Sequence, residues 1–288
     1  MPPDFPFKKP TWPVKVPAPL PKRSIGIEYD TSWSRSPIAC KLRSAYIKGL
    51  LRPSMYAIAR PSIKGASELD LIEPPVIFVA NHSSHLDTPL ILSILPGTFS
   101  RKIAVAAAAD YFFDRTWKAH LFSLTLGAIP VERKRPDRTS AKLAISLIQD
   151  GWNLVIFPEG GRSPDGWLQE IRGGAAYIAE HTKRPIIPIH ISGTYQIMSK
   201  ERSQVSPGST RVTFGHPIIY SDDQNVRHVN DLIYKSLARL ADESSSDWWN
   251  ATKRHAKGES PSLSGPDSAA WLRAWKLPNP RNESNVDT

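Results

Sequence analysis

Cysteine is nearly absent. Cys40 is the one thiol among 288 residues, which excludes an internal disulfide and a cysteine-based metal cluster and gives no sign of an oxidising compartment. Long apolar runs are missing too: no stretch of about 18 apolar residues occurs, which argues against a transmembrane helix. The first residues, Met1 to Phe7, lack a basic region followed by an apolar stretch and a small-residue cleavage site, so they do not read as a secretory signal. The expectation is a cytoplasmic protein, soluble or peripheral. There is no Gly-x-Ser-x-Gly elbow, and Cys40 lies well ahead of the motifs, which leaves a covalent nucleophile unsupported; Ser83 and Ser84 remain as hydroxyl candidates. No internal repeat is found.

What is present in excess is positive charge, and it is unevenly spread. Of the net +10, residues 1–65 hold 12 Lys and Arg against three acids, whereas the remainder is nearly balanced. Eight of the first 22 residues are proline, which removes amide donors and favours extended backbone without a packed core. The basic arm and its aromatics Phe5, Phe7 and Trp12 raise nucleic-acid binding, but no recognition motif accompanies them and the balanced remainder offers no basic groove. No nucleic acid is expected as a partner.

From Ser36 to Ala59, Ile38, Leu42, Ala45, Tyr46 and Leu50 recur at helical spacing with Lys41, Arg43, Lys48 and Arg52 between them. This predicts an amphipathic basic helix interrupted near Pro53. From about Pro75, short apolar strands alternate with helical stretches. Strands are expected near 76–80, 102–107, 128–131, 153–157, 186–191 and 210–214, and helices near 87–95, 114–126, 139–149, 172–182 and 226–242. Such alternation implies an α/β fold with its chemistry at strand ends. After Glu243 the chain is rich in Ser, Pro and Trp. Trp248-Trp249, Trp271 and Trp275 suit either a membrane interface or packing back on the domain.

Asn81-His82-Ser83-Ser84-His85-Leu86-Asp87 follows the first of these strands. An unperturbed imidazole, near pH 6.5, is partly neutral at cytosolic pH, so His82 can take a proton from an alcohol attacking a carbonyl. Asp87 would hold the ring tautomer and stabilise the imidazolium; it also reads as a helix N-cap before Thr88-Pro89. A metal set of His82, His85 and Asp87 has unfamiliar spacing and no obvious fourth ligand. In Phe157-Pro158-Glu159-Gly160-Gly161-Arg162-Ser163, paired glycines permit close backbone approach and Arg162 can grip a phosphate, although a polar turn also explains the segment. Arg133, beside Lys134 and Arg135, is a second anion contact or part of a solvated charge run.

Together these residues resemble the glycerophospholipid acyltransferases, the PlsC-like or 1-acylglycerol-3-phosphate acyltransferase family. Asn81, His82 and Asp87 match its Asn-His-x4-Asp motif. Gly127, Ile129, Val131 and Arg133 match the second motif, with Pro130 where an aromatic is often found. Phe157, Pro158, Glu159, Gly160, Arg162 and Ser163 match the third, with Gly161 in place of Thr, and Ile186-Ile187-Pro188-Ile189 is similar to the fourth. The resemblance spans roughly residues 50–220. It implies a single α/β acyltransferase domain with a central mixed sheet flanked by helices, preceded by the amphipathic segment. It also implies acyl transfer from an acyl-CoA or acyl-carrier-protein thioester, with no other cofactor and no metal, to the hydroxyl of a lysophospholipid, foremost 1-acylglycerol-3-phosphate. By that resemblance His82 is the base, Asp87 its partner, and Arg133, Glu159, Gly160 and Arg162 bind the phosphate-bearing acceptor. Gly161 and Pro130 bear on which acceptor is taken; another lysolipid, a glycolipid or a non-catalytic lipid-binding role are the alternatives.

The expected organisation is a Pro-rich basic arm at 1–35, a basic helical segment at 36–65 docking to anionic membrane on the inner face of the cell membrane, the acyltransferase domain at 66–243, and a tail at 244–288. About 1 kcal/mol per basic residue near an anionic surface makes the amino-terminal excess ample for reversible binding.

Overall fold

The structure, a computed structural model, describes residues 26–132, 138–199, 204–221 and 223–265. Its frame is a seven-stranded sheet of β1 (Pro61–Lys64), β2 (Ile77–Ala80), β3 (Ile103–Ala108), β4 (Ala128–Val131), β5 (Asn153–Ile156), β6 (Ile186–Ser192) and β7 (Thr210–Phe214). The strand order is β1-β7-β6-β2-β5-β3-β4. Strands β2 to β6 are mutually parallel, β7 runs antiparallel to β6, and β1 runs parallel to β7, so the sheet is mixed. The helices are α1 (Pro37–Tyr46), α2 (Arg52–Ala59), α3 (Asp87–Ile94), α4 (Gly97–Ser100), α5 (Ala109–Phe112), α6 (Thr116–Leu126), α7 (Arg138–Gln149), α8 (Gly174–Thr182), α9 (Thr194–Ile197), α10 (Val226–Ser245) and α11 (Trp248–Lys257).

The two-residue side-chain period divides the core into two layers. Val76, Phe78 and Ala80 face a layer that includes Met55 and Ala59 of α2 and Leu90 and Ile91 of α3. Ile77 and Val79 face Ala175 and Ala179 of α8, Leu147 of α7 and Ile233 of α10. Strand β2 is buried on both faces, as central parallel strands are. Its neighbours continue in opposite directions, β5 towards β3 and β6 towards β7, so the carboxyl end of β2 sits where the strand order reverses and a crevice opens.

The strand and helix expectations from Pro75 onward match the observed elements within two or three residues, α10 extending to Ser245. The amino-terminal segment differs in two ways. First, Pro53 does not interrupt the helix: α1 passes into α2 through a π-helical turn, Ile47–Leu51. A proline ring clashes with the carbonyl four residues earlier, here Gly49, and the wider turn sits at that place. Second, residues outside the expected apolar stripe make the core contacts. Ile38, Leu42 and Leu50 are 73%, 55% and 59% exposed, while Ile47, Leu51, Met55 and Ala59 enter the core.

Arg43 sets which side of the helix turns inward. Instead of lying on a solvated basic face, it is buried and donates from Nε to Leu124 O at 2.8 Å and from Nη2 to Ser34 O at 2.6 Å and Ser123 O at 2.9 Å. The carbonyls at the end of α6 and of the 3-10 turn Ser32–Arg35 ahead of α1 fix the side of α1 that turns inward. With β1 paired to β7, and Leu263 in the second core layer, residues 36–65 and 244–265 are built into the same body as the sheet.

Removing this guanidinium leaves buried acceptors unsatisfied, so Arg43→Ala should cost about 2–4 kcal/mol in urea unfolding. Leu42→Asp, one position away but exposed, should change stability by less than about 0.5 kcal/mol. Equal losses in the two variants would contradict the observed orientation of α1.

Candidate active site

The carboxyl end of β2 is held before any chemistry is considered. Asn81 uses its side chain as strand backbone: Nδ2 donates to Ile191 O at 2.9 Å and Oδ1 accepts from Ile191 N at 2.7 Å. The chain can therefore leave the ladder while still tied to β6. His82 is next gripped by the turn after β5. Its N–H donates to Glu159 Oε1 at 2.6 Å, its carbonyl accepts from Ser163 N at 2.8 Å, and its ring stacks on Phe157 with centroids 4.1 Å apart.

Nδ1 of His82 lies 2.9 Å from Asp87 Oδ2. That oxygen also accepts from Ser83 N and Ser84 N, both at 2.8 Å, and Oδ1 accepts from Thr194 Oγ1 at 2.6 Å. Asp87 is fully buried in the first turn of α3, where the helix dipole favours negative charge. It caps the amides of the turn before its own helix, in place of the ordinary N-cap arrangement expected from sequence. A carboxylate with only acceptor capacity requires Nδ1 to carry the proton, which leaves the lone pair on Nε2. Nε2 has no hydrogen-bond partner among the described residues, and the His82 side chain is 15% exposed.

Glu159 is placed differently from a residue that touches an anion. Oε1 takes the His82 amide and Oε2 takes Gln169 N at 2.9 Å, so both oxygens are occupied by backbone. Burial pushes its carboxyl up to about 8 against the pull of these two amides. Gly160 has φ +68, and a Cβ there would come within 3.2 Å of the Arg172 guanidinium, so the turn lies directly against a second arginine. Arg162 is half-buried, and its charge, after burial, is the largest influence holding His85 down to about 4. His85 faces away to Tyr111, whose hydroxyl lies 3.3 Å from Nε2, and stacks on that ring. No group of three His, Cys, Asp or Glu among the described residues could hold a metal ion. Arg133 lies outside the described residues, two positions beyond the end of β4.

The fold thus gathers His82, Asp87, Glu159, Gly160 and Arg162 from two strand ends. Sequence reasoning missed Thr194, which arrives from the end of β6, and Arg172, which follows the third motif by nine residues. A strand end carrying Gly193-Thr194 was the available signal for the first; the second had none.

Glu159 gives the site a pH signature. A carboxyl raised in the folded state contributes stability that is present at low pH and lost as pH rises through about 8. His85 and His190, both lowered to about 4 by burial, act oppositely, and their contribution is complete above the ordinary histidine range, about pH 6.5. Between about pH 6.5 and 8 the unfolding free energy should therefore fall, and Glu159→Gln should flatten that slope while lowering overall stability. An unchanged slope in urea titrations of the variant would show that Glu159 is ionised throughout.

The profile of the acyltransferase family matches residues 60–192, from β1 to the end of β6. A chloroplastic 1-acyl-sn-glycerol-3-phosphate acyltransferase of Brassica napus is 30% identical over 168 residues, 57% of this chain and 47% of its own. A 1-acyl-sn-glycerol-3-phosphate acyltransferase of Streptococcus pneumoniae is 29% identical over 217 residues, 72% of this chain and 76% of its own. The chain spans about half the length of the Brassica napus and Arabidopsis thaliana relatives it matches. The crystal structure of PlsC, the 1-acyl-sn-glycerophosphate acyltransferase of Thermotoga maritima, superimposes with TM-score 0.56 at 22% identity, over 75% of this chain and 84% of that one, a likeness of fold. The family profile, these relatives and the shared fold agree on a PlsC-like acyltransferase domain over residues 60–192.

Proposed function

We propose that the protein transfers a fatty acyl group from an acyl-CoA or acyl-carrier-protein thioester to the free hydroxyl of 1-acylglycerol-3-phosphate. The observation that carries this reading is the His82–Asp87 contact at 2.9 Å, with Nδ1 committed to the carboxylate and Nε2 left as the base. Nε2 takes the hydroxyl proton as the oxygen attacks the thioester carbonyl. Asp87 stabilises the imidazolium that forms, and collapse of the tetrahedral intermediate expels the thiolate, which takes the proton back from Nε2. Attack is direct, without an acyl-enzyme.

Arg162 and Arg133 are the acceptor's phosphate contacts in this reading, with Gly160 giving the backbone room to approach. Glu159 serves the acceptor indirectly, by holding the His82 amide and the Gln169 loop at once. Gly161, where the family has Thr, bears on how strongly this acceptor is preferred: a hydroxyl contact at that position would contribute about 0.5–1.5 kcal/mol.

The substrates are amphiphiles, and we assign their delivery to the outward face of α1, the π turn and α2. That face combines exposed Ile38, Leu42, Leu50 and Tyr56 with exposed Lys41, Lys48 and Arg52, and α6 beside it exposes Trp117 and Leu121. Apolar side chains set among basic ones suit the surface of an anionic bilayer. No helix among the described residues is long and apolar enough to cross a membrane. Trp248 and Trp249 are exposed at the start of α11, whereas Trp271 and Trp275 lie outside the described residues.

Two experiments test this reading. Thiol release from palmitoyl-CoA should require lysophosphatidic acid and fall about 10²- to 10⁴-fold in His82→Ala; silence across a panel of acceptors and acyl-carrier-protein donors would leave a lipid-binding protein. Cosedimentation with anionic vesicles should weaken with rising salt and in Leu42→Asp combined with Leu50→Asp; salt-insensitive binding that survives both changes would contradict the assigned face.

A further inference from the structure

We infer that Thr194 is a positioning residue for the His82–Asp87 pair, its buried hydroxyl holding the second oxygen of the Asp87 carboxylate and thereby fixing the plane in which the first oxygen meets the imidazole. The inference rests on the general-base reading above. Oδ2 of Asp87 is fixed by three N–H donors, at 2.9 Å from His82 and 2.8 Å from each of Ser83 and Ser84. Among the described residues Oδ1 meets a single donor, Thr194 Oγ1 at 2.6 Å, a length typical of a hydroxyl donating to a carboxylate. Asp87 and Thr194 are both fully buried, so water does not stand in for this donor.

The proton inventory gives the contact its direction. A carboxylate has no hydrogen to offer, so Thr194 must donate to it. Thr194 Oγ1 then accepts from Ser83 Oγ, 3.1 Å away and itself buried. The result is a relay of donors, Ser83 to Thr194 to Asp87, that ends on the acid holding His82.

The backbone delivers Thr194 with little freedom. It opens α9 directly after Gly193, whose φ is +92 and where a Cβ would lie 2.4 Å from Ser209 O, so only glycine makes this turn. The far end of α9 is tied to the same motif, because Ser84 Oγ donates to Met198 O at 2.6 Å. Strand β6, the last carrier of a family motif, is thus joined to the pair through a side chain beyond the family profile's final residue.

Thr194→Val keeps the shape and removes the donor. Asp87 becomes a stronger acceptor for His82 and a less fixed one. The expected result is a fall in kcat of roughly 10- to 100-fold, as for losing a hydrogen bond to a charged group, with the acceptor KM changed by less than about threefold. The acid limb of kcat/KM should move to higher pH, because a more basic carboxylate favours the imidazolium. His85, Glu159, Asp165 and Arg162 are the other charged or titratable groups around the pair, and the substitution alters none of them. Thr194→Ser should restore both kcat and the limb. Ser83→Ala, which takes away the donor behind Thr194, should move the limb the same way by less, and it carries the test if the valine variant does not fold. Titration of the His82 ring by NMR in the resting protein should follow the same order. An unmoved limb in Thr194→Val and Ser83→Ala, or equal losses in the valine and serine variants, overturns the inference. His82→Ala assayed alongside separates the two levels: an active His82→Ala overturns the general-base reading and this inference with it, whereas an inactive His82→Ala beside an indifferent Thr194→Val overturns this inference alone.

Discussion

The structure depends on how one buried strand ends. Strand β2 must leave the sheet at Ala80 without abandoning polar backbone in the core, and Asn81 solves this by pairing its amide side chain with both backbone groups of Ile191. Once that exit is fixed, the His82 peptide has one place to lie. Its N–H and carbonyl are taken by Glu159 and Ser163 from the turn after β5, so the ends of β2 and β5 meet around one residue while β6 holds the residue before it. The imidazole inherits its position from the backbone beneath it.

This arrangement explains why polar residues are concentrated where the sheet is otherwise apolar. Asn81, Ser83, Ser84, Asp87, Glu159, Ser163 and Thr194 are all buried, and each is satisfied by a named partner. A fully paired polar network at low dielectric is rigid, because losing any member leaves a costly orphan. Catalysis by proton transfer needs that rigidity, since a base acts only within hydrogen-bond reach of the proton it takes. Around the site positive φ falls on glycines, Gly160 and Gly193 beside close neighbours, whereas the non-glycine cases, Arg60 and Lys183, lie elsewhere in the fold.

Periodicity made most of the sheet and its flanking helices legible, because β2 to β6 are short apolar runs and α10 carries a regular stripe. Asn81, His82 and Asp87 were legible because their spacing is local. What escaped was set by distant chain. Arg43 reads as one more surface cation until the carbonyls of Ser34, Ser123 and Leu124 are brought to it, and its inward turn is what sends Ile38, Leu42 and Leu50 outward. Pro53 reads as a helix break because the π turn that accommodates it leaves no trace in the pattern. Glu159 reads as a ligand for substrate, yet its oxygens go to amides at positions 82 and 169, and Thr194 meets Asp87 from 107 residues away.

We propose direct attack by the acceptor hydroxyl, with His82 as base and no covalent intermediate. The most direct measurement is rapid mixing of excess acyl-CoA with substrate-level protein and no acceptor, followed by intact-protein mass spectrometry and thiol detection on the same samples. The account predicts no thiol burst and a protein mass unchanged until acceptor is added. A burst stoichiometric with protein, together with a mass gain of one acyl group on Ser83, Ser84 or Cys40, would contradict it.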